Sequence, residues 1–166
     1  MKYKNLYEQI CSDENIYQAY INARKNKRYR ADVLRYTSNL EKNLSELKDK
    51  LVNQRITYTR YNRFIIYDPK YRVILSQPFK NNVEDWAFYQ VLNPLFVRGY
   101  IEHSYACISG RGQINAVLKL HSWLKYVNKE AYKERKQGLK VTEENKWYYL
   151  KLDFSKYFYR IDHEVL

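Results

Sequence analysis

Apolar residues change their period several times along this chain, and each change marks a different element. Ser12 is a good N-cap, and Asp13 and Glu14 suit the positive end of a helix dipole, so a helix is predicted from there to about Lys25. Val33, Leu40, Leu44, Leu47 and Leu51 fall at helical spacing, with Glu41, Lys42, Glu46, Lys48 and Lys50 on other faces. That spacing predicts one amphipathic helix of about twenty residues. From Arg55 the period shortens. Ile56, Tyr58, Phe64, Ile65, Ile66 and Tyr67, then Tyr71, Val73, Ile74 and Leu75, predict a β-hairpin over 56–76 with its turn at Asp68 to Lys70. Pro78 ends the second strand, and Val83, Trp86, Ala87, Phe88, Val91, Leu92 and Leu95 predict a largely buried helix over 80–97.

A loop with His103, Tyr105 and Cys107 follows. Gly110-Arg111-Gly112 then introduces another helix carrying Ile114, Val117, Leu118, Leu120, Trp123 and Leu124. Residues 128–146 are polar and lysine-rich, and are read as a fraying helix end plus a surface loop. The run WYYLKLDF at 147–154 reads as a strand, and SKYFYRIDHEVL after it as the start of a helix. Helices, hairpin, helices, strand and helix without regular alternation predict an α+β fold rather than a doubly wound sheet.

Composition narrows the class. With 166 residues, 30 Lys plus Arg against 18 Asp plus Glu, a formal net charge of +12 and 45% hydrophobic residues, the chain is strongly basic and apolar enough for a core. Four glycines and three prolines are too few for a disordered or collagen-like chain. No apolar run approaches the ~20 residues that span a bilayer, and MKYKNLYEQI lacks the apolar stretch of a signal peptide, so a cytoplasmic location without membrane contact is expected. Cys11 and Cys107 lack metal-ligand or C-x-x-C spacing and are read as reduced packing residues. The common hydrolase, P-loop and dinucleotide-binding motifs are absent, and His103, His121 and His163 have no metal-ligand spacing.

Charge placement is more informative than its sum. Residues 24–35 carry Arg24, Lys25, Lys27, Arg28, Arg30 and Arg35 against Asp32, with Tyr17, Tyr20, Tyr29 and Tyr36 nearby. Cations follow phosphates and flat rings stack unpaired bases, so single-stranded or RNA-containing partners are the leading expectation over a solvated loop. Lys70 and Arg72, two residues apart at the hairpin turn, suit a triphosphate or simply keep an exposed tip soluble. Arg111 between two glycines suits phosphate binding or a plain helix entry. Asp153, at the end of an apolar run, is either a helix cap with Ser155 or one ligand of a metal site that needs further carboxylates; Asp162 is read as a helix or turn hydrogen-bonder.

Three stretches, YDPKYRVILSQPFKNNVEDWAFYQVLNPLF, YIEHSYACISGRGQINAV and WYYLKLDFSKYFYRIDHEVL, together with the opening NLYEQICSDENIYQAYINARKNKR, resemble in order the N-terminal half of bacterial reverse transcriptases. The likeness covers nearly the whole chain except residues 128–146, and within the family is closest in kind to diversity-generating retroelement enzymes, with group II intron, retron-like and phage-defence enzymes as other members of the group. It implies a fingers lobe over 1–98, and over 99–166 a fingers/palm junction with the first strand and helix of a right-hand palm, truncated because the paired aspartates of a Tyr-x-Asp-Asp turn would fall beyond Leu166.

The resemblance implies RNA-directed DNA synthesis, with dNTP added to the 3′-hydroxyl of a DNA or RNA primer on an RNA template by two-metal phosphoryl transfer. Asp153 and the Phe154 carbonyl would be ligands of Mg²⁺, with Mn²⁺ as a substitute. Lys70 and Arg72 would clamp the triphosphate, Lys156 and Tyr157 would hold its tail through backbone N–H groups, and Phe158 would exclude a 2′-hydroxyl. Arg111 matches a position near the template. A basic accessory protein is the implied partner. Asn81 and Asn82 depart from the family's acidic-basic pair. The competing expectation is a non-catalytic module that binds RNA or single strands through the +12 charge and the aromatics.

Overall fold

The computed structural model describes residues 3–58, 60–138, 140, 146–157, 160–162, 164 and 165. It is an α+β fold, mostly helical, with one two-stranded antiparallel sheet. The chain divides into two compact units, Met1–Glu102 and His103–Leu166. Among the described residues no helix is long and apolar enough to cross a membrane.

The first unit is a helical body with a hairpin inserted in it. Its elements are α1 (Leu6–Ile10), α2 (Asp13–Arg24), α3 (Ala31–Thr37), α4 (Leu40–Val52), β1 (Asn62–Ile66), β2 (Arg72–Ser76) and α5 (Phe79–Val97). Helix α2 starts where the sequence predicts, with the Asn15 N–H donating to Ser12 Oγ at 3.2 Å. Ile16, Ala19, Tyr20 and Ala23 form its buried stripe, facing Val83 and Ala87 of α5 across small residues that allow close approach. Asn15 Nδ2 donates to the Ile10 and Ala87 carbonyls at 2.9 and 3.0 Å, and Asn22 Nδ2 to Gln90 Oε1 at 2.9 Å, so the same seam is also fixed by polar groups.

The single helix expected over Val33 to Leu51 is two helices. Ser38 Oγ donates to the Arg35 carbonyl at 3.0 Å, Asn43 Nδ2 donates to the Tyr36 carbonyl at 2.8 Å, and Asn39 leaves the helical region at φ −125°, ψ 42°. Short polar side chains here satisfy the end of α3 and let the chain turn. Val33, Leu47 and Leu51 are nonetheless all buried, because each helix turns its own stripe to the core.

The hairpin is shorter than expected. Pairing runs from Asn62↔Ser76 to Ile66↔Arg72, with residues 67–71 as the turn and Tyr67 and Tyr71 packed edge to face at 5.8 Å across it. Ile56 instead packs against the helical core, and the Tyr58 hydroxyl donates to Asp85 Oδ1 at 2.8 Å. Helix α5 follows the predicted range closely, beginning after Pro78.

In the second unit α6 (Gln113–Lys136) begins after Gly112 as predicted and extends well into the stretch expected to fray. Gly110, at φ 73°, makes the turn before it. No residue of α6 is buried. Cys107, read as a packing residue, is exposed; Cys11 does pack against the first unit's core. The strand expected at 147–154 has no ladder among the described residues: high β propensity needs a paired neighbour to become a strand. The helix expected after it is also absent from the described residues, and Lys156 stands at φ 54°, a left-handed conformation incompatible with a helix passing through it.

Glu84 of α5 is 1% exposed, with one carboxylate oxygen 3.5 Å from Lys50 Nζ and the other without a partner among the described residues. Burial outweighs Lys50 and pushes this carboxyl above the ordinary carboxylate range. The unfolded chain gives up the proton at lower pH than the folded chain, so stability is lost as pH rises from the ordinary value of about 4.3 through the folded one. Glu84→Gln, with no proton to lose, is expected to flatten that fall, melting like the parent near pH 4 and above it at about pH 8. Parallel melting curves of the two proteins across this range would contradict the assignment.

Candidate nucleic-acid interface

The basic segment begins where α2 ends. Its first cation is tied to the core: the Arg24 guanidinium lies 5.0 Å from the Tyr20 ring centre and its Nη1 donates to the Tyr20 hydroxyl at 2.9 Å. An arginine can only donate, so the Tyr20 proton goes to Thr37 Oγ1 at 2.9 Å, and the Thr37 proton to the Val33 carbonyl at 2.8 Å. This chain of bonds fixes the end of α2 against α3. Beyond it, Asn26 at φ 62° and the bonds from Lys27 N to Arg24 O (2.9 Å) and from Arg30 N to Lys27 O (3.1 Å) form two successive turns.

The loop cations divide by their partners. Arg30 makes a two-pronged pair with Asp32, at 3.2 and 3.0 Å. Lys25, Lys27 and Arg28 are exposed, and among the described residues none of them has a carboxylate partner. The four tyrosines expected to stack on bases separate as well. Tyr20 and Tyr36 are core residues, stacked on each other at 6.0 Å and each edge to face with Phe79, so they are not available to a ligand. Burial, and next the charge of Glu84, pushes the Tyr36 hydroxyl far up, which keeps it neutral. Tyr17 is half exposed and tilted against Tyr20, whereas Tyr29 is 94% exposed.

A cavity at the base of the hairpin brings Lys27 and Arg30 together with Phe64, Gln77 and Asn82. Gln77 Oε1 is buried without a partner among the described residues. Sequence reasoning missed Phe64, Gln77 and Asn82, and no local signal marks them, because they meet the loop only after α5 folds back on α2.

Lys70 and Arg72 are both exposed at the far end of the hairpin. Lys70 lies in the turn, so alternation along a strand does not govern it; Arg72 is the first residue of β2 and pairs with Ile66. Asn82 Nδ2 donates to the Pro78 carbonyl at 3.3 Å within the first turn of α5.

In the second unit, the Arg111 N–H donates to the Ile108 carbonyl at 3.1 Å and its Nη1 to the Ser104 carbonyl at 3.3 Å, so this side chain braces its own loop. Asp153 and Phe154 are exposed, and the Phe154 and Tyr157 rings lie 6.3 Å apart. The Tyr157 carbonyl accepts from the Arg160 N–H at 3.0 Å, and Asp162 Oδ1 accepts from the Glu164 N–H at 2.9 Å, which makes Asp162 the turn hydrogen-bonder expected of it. The helix that Asp153 would cap is absent from the described residues. Phe158 and His163 lie outside the described residues, as do residues 139 and 141–145 of the lysine-rich stretch. Among the described residues no three His, Cys, Asp or Glu side chains converge as metal ligands.

Lys27→Ala and Arg28→Ala remove exposed charges that hold nothing in place, so each is expected to change stability by less than about 0.5 kcal/mol. On the expectation that this loop follows phosphates, each should weaken binding to a nucleic acid and lower the slope of log affinity against log salt by about 1. Salt titrations of the parent and the two variants, beside their melting curves, measure both effects.

No protein-family model matches this chain, and no curated protein matches it.

Proposed function

We propose that the chain is the fingers region, with the beginning of the palm, of an RNA-directed DNA polymerase of the diversity-generating retroelement kind. The observation that carries this reading is the antiparallel hairpin between the basic helical body and α5, with Lys70 and Arg72 exposed around its turn. A triphosphate is a dense, solvated anion, and two cations on a projecting tip can reach it without being buried first. The body behind the tip supplies the exposed cations Lys25, Lys27 and Arg28 for the phosphates of a template or primer.

For Mg²⁺, the donor chemistry is suitable and the number is not. The Asp153 carboxylate and the Phe154 carbonyl are hard oxygen donors, but magnesium takes an octahedral shell, and among the described residues no three His, Cys, Asp or Glu side chains converge to complete it. No step through the metal is therefore derived from these residues. Lys156 and Tyr157 carry the backbone N–H groups of the proposed tail contact, and the Phe158 gate rests on the resemblance alone. The second reading, a non-catalytic single-strand-binding module, is favoured by one observation: the exposed cations flanking Tyr29 suffice to bind nucleic acid with no chemistry at all.

Primer extension on an RNA template by the gene product containing this chain tests the proposal. Lys70→Ala and Arg72→Ala are each expected to reduce dNTP use by about 10- to 100-fold, the loss of a charge-assisted contact of about 1.5–3 kcal/mol, with template binding unchanged. Asp153→Asn is expected to abolish extension while leaving the melting temperature and template binding near the parent's. Extension at the parent rate in Asp153→Asn would remove the polymerase reading and leave the binding module.

A further inference from the structure

We propose that Tyr29 is a stacking platform for one unpaired base, so that the loop between α2 and α3 selects single-stranded over double-stranded nucleic acid. The inference rests on the nucleic-acid reading above and adds a residue and a ligand class to it. Three observations carry it. First, Tyr29 is 94% exposed, and among the described residues no ring or hydrogen-bonding partner is found for it. A large aromatic held in water between two arginines contributes nothing to the core, unlike Tyr20 and Tyr36, which fill it.

Second, residues 25–30 line a hollow of their own, so Tyr29 shares its lining with Lys25, Lys27, Arg28 and Arg30. Duplex DNA offers phosphates to such cations but keeps its base faces stacked. A single strand offers both, and stacking on an aromatic ring tolerates any base because every base has a π face. Third, this hollow and the cavity at the hairpin base share Lys27 and Arg30 as lining residues. Lys27 therefore continues from the hollow of Tyr29 into the cavity at the hairpin base, where Phe64 offers a second ring and Asn82 an amide, beside the carboxylates of Asp85 and of Asp32, the latter paired with Arg30. The turns carrying Tyr29 are bounded by Arg24, bonded to the core residue Tyr20, and by Arg30, paired with Asp32 at the start of α3.

The test separates stacking from phosphate contact. The parent chain, Tyr29→Ala, Tyr29→Phe and Lys27→Ala/Arg28→Ala are titrated with an oligothymidylate of about 12 nucleotides, an abasic strand of the same length and a duplex of the same length. Tyr29→Ala should weaken oligothymidylate binding by about 5- to 100-fold, leave the abasic strand and the duplex unchanged, and be rescued by Tyr29→Phe. The double lysine and arginine variant should weaken all three. Equal affinity of Tyr29→Ala and the parent for oligothymidylate, with the double variant still weakened, overturns the stacking proposal and leaves the nucleic-acid reading standing. An equal loss on the abasic strand overturns it too, since the ring would then be shaping the loop rather than touching a base. A parent that binds none of the three overturns both readings.

Discussion

The contact among Tyr20, Tyr36 and Phe79 is the joint on which the first unit depends. The three rings come from α2, α3 and the first residue of α5, with Tyr20 and Tyr36 stacked and Phe79 meeting both edge on. Aromatic rings in these arrangements add about 0.5–1.5 kcal/mol per pair beyond the area they bury. Their position matters more than their sum. The basic loop starts one helical turn after Tyr20, and the second strand of the hairpin ends just before Phe79. The basic loop and the hairpin therefore leave from the same joint, and the Tyr20 hydroxyl extends that joint to Arg24 and to Thr37. A loop carrying several like charges would otherwise repel itself away from any fixed shape.

The same body tolerates a strong excess of positive charge because it pairs charges selectively. Lys48 with Asp13 and Lys80 with Glu46 cross between helices at the surface, and Lys80 holds the Glu46 carboxyl below its ordinary range. Exposed pairs of this kind are worth little individually, so they mainly balance charge between neighbouring helices. Glu84 is the costly exception, buried against Lys50 with one oxygen unpartnered. Burial raises its carboxyl above the ordinary range, so Glu84 makes the contact between α4 and α5 sensitive to protonation.

Elements announced by nearby residues were legible in the sequence. Ser12 caps α2 through a bond three residues long, Pro78 marks the entry to α5, and the Asp68-Pro69 turn sits between two β-prone runs that pair, over a shorter span than expected. Features set by distant residues were not. Tyr20 and Tyr36 read like the other tyrosines of the basic segment, and only Phe79, far along the chain, makes them core residues. The break at Ser38 and Asn39 was hidden because leucine spacing continued across it, while the deciding bonds came from side chains competing for backbone groups. At the candidate site, the loop cations and hairpin cations were readable as charge, whereas the cavity joining Lys27 to Gln77 and Asn82 exists only through the fold.

The run at 147–154 shows the limit of local propensity most clearly. Tyr149, Leu150, Leu152 and Phe154 are more exposed than apolar residues in a packed strand, and no ladder forms there among the described residues. Helix α6 has the matching property: its capping loop and periodicity are good enough to form a long helix, yet Ile114, Val117, Leu118 and Leu124 remain exposed. Most helical stability in proteins comes from burying such a stripe rather than from propensity. Among the described residues the second unit thus has one long helix with exposed apolar surface, while the first unit holds nearly all the buried residues. Charge contacts with a ligand do not require a large core behind them, but precise positioning of a carboxylate such as Asp153 does. Among the described residues, therefore, the loop carrying Tyr29 leaves from a packed joint, whereas the segment carrying Asp153 is exposed and has no paired strand behind it.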